Sequence, residues 1–275
     1  MRNQTPLRNG MLALAVITTL TSAALAQRPY GEPYGNQHYG NQQGHDASRN
    51  VAGQFDYYAL VMSWSPSYCA GEQRDGYDPQ CDRSDGKRYN FVLHGAWPQF
   101  APHGWPEDCP VRGRAFVPRP VINGMLDIMP SDKLVIHEYR KHGTCSGMEP
   151  SQYFDFARRL FNKVQVPDDY RNPQEARFVS PEQLVADFQQ VNPWLRRDMI
   201  AVDCNGNGNR LREIRICFSK EGQPQSCSKN EDQHKMCRAD QVYLPPVRAT
   251  KENAPAREPN TPVPRPRLIP NARNI

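Results

Sequence analysis

Long hydrophobic runs are missing from most of this chain. Beyond residue 26 no apolar stretch reaches about 18 residues, which excludes a polytopic membrane protein. C-x-x-C pairs are missing too, although the chain has 8 cysteines. Zinc ribbons and thioredoxin-type redox sites therefore have no support.

An excess of charge of one sign is also missing from the central part of the chain, although the net charge is +5. Residues 1–26 carry two arginines and no acid, and residues 246–275 carry six basic and two acidic residues. Residues 27–50 are balanced, so residues 51–245 have a net charge of −1. Any binding of a polyanion by this central part must come from a local site.

The first 26 residues have the pattern of an export signal. Arg2 and Arg8 precede an apolar stretch, and Ala24 and Ala26 provide the small-x-small pattern of a cleavage site. An uncleaved membrane anchor is the alternative, but Thr and Ser interrupt the stretch and it is short for a span. We expect an exported protein, periplasmic or extracellular, with no stable membrane association after signal cleavage.

Two further segments have compositions typical of disordered chains. Residues 27–50 form a Tyr/Gly/Gln/Asn-rich repeat with almost no aliphatic residue, and residues 246–275 are rich in Pro and Arg. Residues 51–245 have the length of a single catalytic domain.

The cysteines are expected to be paired. Export places them in an oxidising compartment, and their even number predicts four disulfide bonds. The spacing alone leaves 105 connectivities open.

The central part mixes strand and helix patterns without a regular βαβ alternation, which favours the α+β class. Strands are predicted at 55–64, 89–94 (before a turn at Gly95), 199–204 and 211–218, the last two flanking a hairpin turn. Helices are predicted at 151–164, from an i, i+3, i+4, i+7 apolar stripe, and at 181–190, after a Ser180 cap.

The string LVIHEYRKHGTCSG concentrates ionisable side chains. In α-helical geometry His137 and Lys141 share one stripe, and Glu138 and His142 share another about 100° away. Gly143 is expected to end this helix. One helix end can therefore present two imidazoles, an ammonium and a carboxylate to one cleft.

Two kinds of site fit this set poorly. A zinc protease motif needs two histidines four residues apart on one face, but His137 and His142 are five apart with a lysine between them. A Cys–His nucleophile pair would need Cys145 as a free thiol. We therefore expect no metal and no other cofactor.

Metal-free cleavage of RNA fits the set better. Attack by the 2′-OH needs a base for its proton and an acid for the leaving 5′ oxygen, and histidine suits both roles because its unperturbed pKa is about 6.5. An ammonium can stabilise the charge that gathers on the phosphate oxygens. The segment FVLHGAWPQ supplies a further imidazole, His94, for the opposite side of the phosphate.

The strings FVLHGAWP and HEYRKHGTC resemble the two signature motifs of the ribonuclease T2 family, F-x-x-H-G-L-W-P and H-E-W-x-K-H-G-T-C. The resemblance covers about residues 55–240. It implies an α+β fold with a central antiparallel sheet, packed helices and disulfide bonds. It also implies an endoribonuclease, classed as a hydrolase or lyase, that cleaves single-stranded RNA through a 2′,3′-cyclic phosphate.

The resemblance also implies a role for each motif residue. His142 would take the 2′-OH proton and His94 would protonate the leaving oxygen, while His137 binds the phosphate. Glu138 and Lys141 would stabilise the charged intermediate. DNA should not be cleaved, because it lacks the 2′-OH.

Several positions depart from the family pattern. Ala96 replaces a leucine, and Tyr139 replaces a tryptophan. Gln99 stands where some members have an aspartate that reads the base. Trp97 and Trp105 are predicted to bind substrate bases together with Gln99, and a weak base preference is expected because stacking tolerates every base.

Family resemblance also suggests the disulfide pairing. It implies Cys109–Cys145, which would clamp the end of the catalytic helix, and the nested pairs Cys204–Cys237 and Cys217–Cys227. The remaining two cysteines would form Cys69–Cys81.

Two other functions are alternatives to an enzyme. One is a secreted, non-catalytic relative that binds RNA or a host molecule. The other is an adhesion protein built around residues 27–50, which would lose its function if they were deleted. We expect instead a monomeric enzyme whose partner is its RNA substrate and whose activity survives that deletion.

Overall fold

The computed structural model describes residues 49–70, 77–204 and 209–247. The predicted export signal, nearly all of the two segments of disordered composition and the hairpin turn at 205–208 lie outside the described residues. None of the helices in the described ranges combines the length and the hydropathy of a bilayer span.

A four-stranded sheet with antiparallel neighbours forms the centre of the fold, in the order β2-β1-β5-β4. Its strands are β1 (Tyr57–Trp64), β2 (Phe91–Gln99), β4 (Ile200–Asp203) and β5 (Glu213–Phe218). A second, two-stranded antiparallel sheet pairs β3 (Arg177–Val179) with β6 (Val242–Leu244). The α+β class and the central antiparallel sheet are confirmed.

The helices are short apart from two. Their bounds are α1 Ser65–Ala70, α2 Arg119–Met125, α3 Asp132–Glu138, α4 Thr144–Ser146, α5 Pro150–Lys163, α6 Asp168–Arg171, α7 Pro181–Val191 and α8 Gln233–Met236. A π-helical segment, Tyr139–Gly143, joins α3 to α4. The sequence predicted both longer helices, α5 and α7, and the Ser180 hydroxyl caps α7 by accepting from the Gln183 backbone N–H at 3.0 Å.

Aromatic rings attach these two helices to the central sheet. Tyr58 of β1 packs against Phe156 of α5 with 4.8 Å between ring centroids, and Phe91 of β2 packs edge-on against Phe188 of α7 at 5.6 Å. All four rings are buried. Burial of such rings is the main driving force for docking a helix on a sheet.

A β-bulge interrupts the pairing of β1 with β2 at His94. Val61 pairs with Gly95 and Met62 pairs with Leu93, which leaves His94 as the extra residue on β2. A bulge re-aims the side chain of the extra residue. The predicted strand end and turn at Gly95 are wrong, because β2 remains paired with β1 as far as Gln99.

The predicted helix end at Gly143 is also wrong. Gly143 has helical dihedral angles, and the chain turns only at Gly147, whose φ of +77° is the left-handed conformation of a helix C-terminus. A Cβ atom on Gly143 would lie 2.5 Å from Cδ2 of Tyr139 and 3.1 Å from Cδ1 of Tyr153. Close packing, not helix termination, therefore explains this glycine.

The folded part extends slightly beyond 51–245. The guanidinium of Arg49 lies 3.6 Å from the ring centre of Phe100, and Asn50 Oδ1 accepts from the Glu107 backbone N–H at 3.2 Å. At the other end, the Val247 backbone N–H donates to Pro173 at 2.9 Å.

Candidate active site

A single carboxylate joins the two sequence segments that carry the predicted catalytic residues. Glu138, the last residue of α3, is buried. Its Oε1 lies 3.4 Å from Nε2 of His94, and its Oε2 accepts from the indole N–H of Trp97 at 2.7 Å. The end of α3 is therefore held against β2 at the bulge.

The indole of Trp97 lies between the two predicted catalytic imidazoles. His142 stacks on it with 4.7 Å between centroids and 22° between planes, and His94 contacts it edge-on at 5.1 Å. Trp97 itself is only 6% exposed. A buried, hydrogen-bonded ring of this kind sets the separation of the two imidazoles.

Gly95 makes this close approach possible. A Cβ atom at this position would overlap Glu138 Oε2 and would lie 2.5 Å from the indole nitrogen of Trp97. Any larger residue would therefore separate β2 from α3. Gly95 therefore permits the contact between β2 and α3, whereas the sequence predicted a turn there.

His94 has two acidic neighbours. Its Nδ1 lies 2.6 Å from Oε1 of Glu213, and its Nε2 faces Glu138. Burial disfavours the imidazolium, but the negative charges of Glu138 and Glu213 outweigh burial and hold the pKa of His94 above its usual value of 6.5. His94 is therefore suited to carry a proton at neutral pH.

His142 has the opposite surroundings. It is 5% exposed, and no described residue makes a hydrogen bond to its Nδ1. Burial, with the positive charges of Lys141 and His137 added, lowers the pKa of His142 well below 6.5. His142 is therefore suited to accept a proton at neutral pH.

Glu138 is held close to its neutral form. Burial raises its pKa to about 7, against the opposing effects of His94 and of the hydrogen bond from Trp97. A carboxyl group with this pKa can stabilise a neighbouring positive charge and can also exchange a proton near neutral pH.

Lys141 and His137 lie on the same helical stretch. The ammonium of Lys141 lies 3.5 Å from Glu107 Oε2, which also accepts from the indole N–H of Trp105 at 3.4 Å. His137 is partly exposed on α3, and its charge is one of those that disfavour protonation of His142. The structure thus brings together all five predicted catalytic residues.

Comparison with known proteins identifies the family of the chain. The model of the ribonuclease T2 family matches residues 55–227.

The chain belongs to the ribonuclease T2 family.

A ribonuclease of Aeromonas hydrophila is 34% identical to this ribonuclease over 184 residues, which are 64% of this chain and 77% of that protein. A protein named "Probable ribonuclease" from Haemophilus influenzae is 29% identical over 193 residues, 65% of this chain and 63% of that protein. Membership of the family makes this chain an RNA-cleaving endoribonuclease of the T2 type.

Solved structures support the fold. The RNase-related protein from Calystegia sepium matches with a TM-score of 0.53 and 21% identity over 70% of this chain and 98% of its own. Trichomaglin, titled a novel S-like ribonuclease, matches with a TM-score of 0.54 and 21% identity over the same shares of the two chains.

The predicted base-binding residues of this ribonuclease are not equally accessible. Trp97 is buried against the two histidines, and Gln99 is buried with its Oε1 accepting from Asn230 Nδ2 at 2.9 Å. Trp105 is partly exposed and is linked to Lys141 through Glu107. Of the three, Trp105 offers the most surface for stacking of a base.

Tyr153 of α5 is hydrogen-bonded to the backbone of Ala96, one of the positions that depart from the family pattern. Its hydroxyl donates to the Ala96 carbonyl at 3.0 Å and accepts from the Ala96 N–H at 3.3 Å. Tyr139, which replaces the tryptophan of the second motif, is also buried and donates from its hydroxyl to the Met148 carbonyl at 3.0 Å.

Four disulfide bonds are present in this ribonuclease, in the pairing that the resemblance implied. They are Cys69–Cys81, Cys109–Cys145, Cys204–Cys237 and Cys217–Cys227. Cys145 is the second residue after the π segment, and the Asp108 backbone N–H donates to the Lys141 carbonyl at 2.8 Å. Cys109–Cys145 therefore ties the loop that carries Trp105 and Glu107 to the helical stretch that carries Lys141 and His142.

One group of potential metal ligands occurs among the described residues. The ligand atoms of Cys217, Cys227 and Glu231 lie within 4.8 Å of one another. The two sulfurs are already joined in a disulfide, so the group cannot offer thiolates to a metal.

Sequence reasoning missed Glu213, Ser63 and Arg215. Ser63 Oγ lies 3.2 Å from Nδ1 of His94, and Arg215 lies over the Trp97 ring at 5.0 Å. A signal was present in the string EIRICF, where an acid and a base two residues apart occur in an otherwise apolar strand and therefore face the same side.

Proposed function

We propose that this ribonuclease cleaves single-stranded RNA by transphosphorylation, with His142 as the base and His94 as the acid. The observation that carries the proposal is the contact of both imidazoles with the one indole of Trp97, in surroundings that favour opposite protonation states. A base must start without a proton and an acid must start with one.

In the first step, His142 takes the proton of the 2′-OH, and the 2′ oxygen forms a bond to phosphorus. The bond from phosphorus to the 5′ oxygen breaks, and that oxygen receives the proton of His94. The products are a 2′,3′-cyclic phosphate and a free 5′-OH. A water molecule can later open the cyclic phosphate with the two histidines in exchanged roles.

The remaining residues of the site stabilise charge in this scheme. His137 and Lys141 provide positive charge for the phosphate oxygens, which become more negative during the reaction. Glu138 stabilises the imidazolium of His94, from which it is separated by 3.4 Å. DNA is expected to resist cleavage, because it has no 2′-OH to act as the nucleophile.

We also propose that the enzyme is exported to the periplasm or the extracellular space. Residues 1–26 have the composition of an export signal, and the described part of the chain contains four disulfide bonds. Such bonds persist in oxidising compartments.

Analysis of the RNA ends tests the reaction type. Purified enzyme incubated with homopolymer RNA is expected to leave a 2′,3′-cyclic phosphate, at a rate that EDTA does not change. A 5′-phosphate would contradict the proposal and would indicate a metal-dependent type of nuclease. No cleavage by the wild-type protein would favour the non-catalytic RNA-binding alternative.

Single substitutions test the two histidines. His94→Ala and His142→Ala are each expected to lower kcat by about 10²- to 10⁴-fold, the usual contribution of a general acid or base. His234→Ala, at an exposed position on α8, is the control and should retain wild-type activity. Circular dichroism of each variant checks the fold. A folded His94→Ala or His142→Ala enzyme with near-wild-type activity would remove the assignment.

A further inference from the structure

A buried carboxylate outside both signature motifs lies against His94. Glu213 is 3% exposed, and its Oε1 lies 2.6 Å from Nδ1 of His94, which is a short distance for a nitrogen–oxygen hydrogen bond. The Ser63 hydroxyl donates to the same carboxylate oxygen at 3.3 Å. The mechanism above leaves this carboxylate without a role.

The central sheet holds Glu213 in place. Glu213 pairs directly with Ser63 where β5 runs beside β1, and with Asp203 where β5 runs beside β4. Because β5 lies between β1 and β4, Glu213 has a paired strand on each side. Side chains on such an element can orient a neighbour more accurately than side chains on a loop.

Neighbouring charges keep Glu213 ionised. Burial alone would raise its pKa, but the positive charges of His94 and Arg215 hold the pKa of Glu213 below its usual value. Nη2 of Arg215 lies 3.4 Å from the second oxygen of Glu213 and 3.8 Å from Asp203 Oδ2. An ionised carboxylate only accepts hydrogen bonds, so the partner nitrogen of His94 must carry a hydrogen.

We propose that Glu213 is a positioning residue for the acid His94: it accepts a hydrogen bond from Nδ1 and leaves Nε2 as the nitrogen that releases its proton. Nε2 lies 3.4 Å from Glu138, beyond ordinary hydrogen-bond distance, whereas Nδ1 lies 2.6 Å from Glu213.

The proton balance follows from this arrangement. When the bond from Nε2 to its hydrogen breaks, the new O–H bond forms on the leaving 5′ oxygen, and His94 becomes neutral with Nδ1 still protonated. Glu213 neither gains nor loses a proton. The inference rests on the proposed role of His94 as the acid.

The charged groups around His94 predict what removing the Glu213 charge would do. Glu138 faces the imidazole from α3, His142 from the π segment and Arg215 from β5. Without the charge of Glu213, Glu138 would still favour the imidazolium, but burial and the positive charge of Arg215 would disfavour it. The imidazolium would then lose its proton at lower pH.

Glu213→Gln tests the proposal, with Asp203→Asn as the matched control. Asp203 also pairs with Arg215 and is equally buried in the neighbouring strand. Glu213→Gln is expected to lower kcat by about tenfold or more with little change in KM, as for other residues that orient a catalytic group. The decline of kcat/KM on the alkaline side should also begin at a lower pH in Glu213→Gln than in the wild type. Asp203→Asn should keep the wild-type alkaline limb.

NMR titration of the histidine rings makes the test independent of activity. In the wild type, His94 is expected to be protonated at Nδ1 when neutral, and its pKa should fall in Glu213→Gln. Glu213→Asp, which retains the charge, should recover part of both effects. An Nε2-protonated neutral tautomer in the wild type would overturn the proposal even if no variant folded.

The outcomes also separate this inference from the proposed function. An unchanged alkaline limb in folded Glu213→Gln, together with an unchanged His94 pKa, would overturn the positioning role and leave the acid–base pair intact. A second outcome is that His94→Ala remains active while the His94 pKa in the otherwise unchanged enzyme still falls in Glu213→Gln. That result would overturn the proposed role of His94 as the acid, and it would retain the hydrogen bond between Glu213 and His94.

Discussion

At the level of single residues, surroundings give the two imidazoles different tendencies to hold a proton. His94 and His142 have the same unperturbed pKa, and both contact Trp97. Two carboxylates face His94, whereas His142 is buried beside other positive charges. The same type of side chain therefore holds a proton in one place and releases it in the other.

This difference predicts a bell-shaped pH profile. His142 must be deprotonated to act as a base, so kcat/KM should rise with pH through its pKa, which lies well below 6.5. His94 must be protonated, so kcat/KM should fall through its pKa, which lies above 6.5. Glu138 titrates at about 7, so the rise on the acid side should be gradual.

Initial rates on a dinucleotide substrate across the pH range measure this profile. The His234→Ala enzyme, whose substitution is remote from both motifs in the sequence, should give the wild-type curve. A profile that shows only a rising limb would count against His94 as the acid.

At the level of elements, two irregularities and one disulfide position the site. A bulge in β2 gives His94 its direction, and a π-helical segment replaces the end of an α-helix at His142. The Cys109–Cys145 disulfide then joins the residues after the π segment to the loop before α2. Bulges and π-helical turns interrupt regular hydrogen bonding and are frequent at functional sites.

The disulfide beside the π segment is expected to affect catalysis as well as stability. Replacing both Cys109 and Cys145 by serine should lower the free energy of unfolding by about 4 kcal/mol, from the chain entropy of a loop of 36 residues. It should also lower kcat, because the loop that carries Glu107 would no longer be tied to the helix of Lys141.

The Cys204–Cys237 disulfide provides a matched control, since it closes a loop of 33 residues. Replacing both of its cysteines by serine should cost a similar free energy of unfolding and leave kcat unchanged at a temperature where the variant is folded. Denaturant titration and steady-state kinetics measure the two effects. Equal losses of kcat in both double variants would show that the effect is one of stability alone.

At the level of the whole molecule, the central sheet unites groups that are distant in the sequence. Ser63, His94 and Glu213 come from β1, β2 and β5, and Glu138 comes from α3. The described residues from 49 to 247 contain both signature motifs and all four disulfides. We therefore expect residues 1–48 and 248–275 to be dispensable for RNA cleavage.

Deleting residues 27–48 should leave RNA cleavage within about twofold of the full chain. A twofold change in rate corresponds to less than about 0.5 kcal/mol in the activation barrier. The deletion stops before Arg49 and Asn50, which contact the folded part. Steady-state kinetics on homopolymer RNA measure the effect. The same deletion in His142→Ala should be inactive, and loss of activity in the deletion alone would support the adhesion alternative.

Much of the fold and of the site could be predicted from the sequence. An apolar stripe located α5, because a buried face imposes its repeat on the sequence, and the Ser180 cap located α7. The two motifs identified the five catalytic candidates. The bulge at His94 and the π segment were missed, because α-helical and strand geometry assume an unbroken repeat.

By itself, the sequence determined the family, the α+β class and the identity of the acid–base candidates, because these depend on local residue order. Only the tertiary structure decided that Glu213 faces His94, that Gly95 admits Glu138, and that the two histidines differ in pKa. Burial and the distances between charges set these properties. Both arise only when strands and helices far apart in the chain pack together.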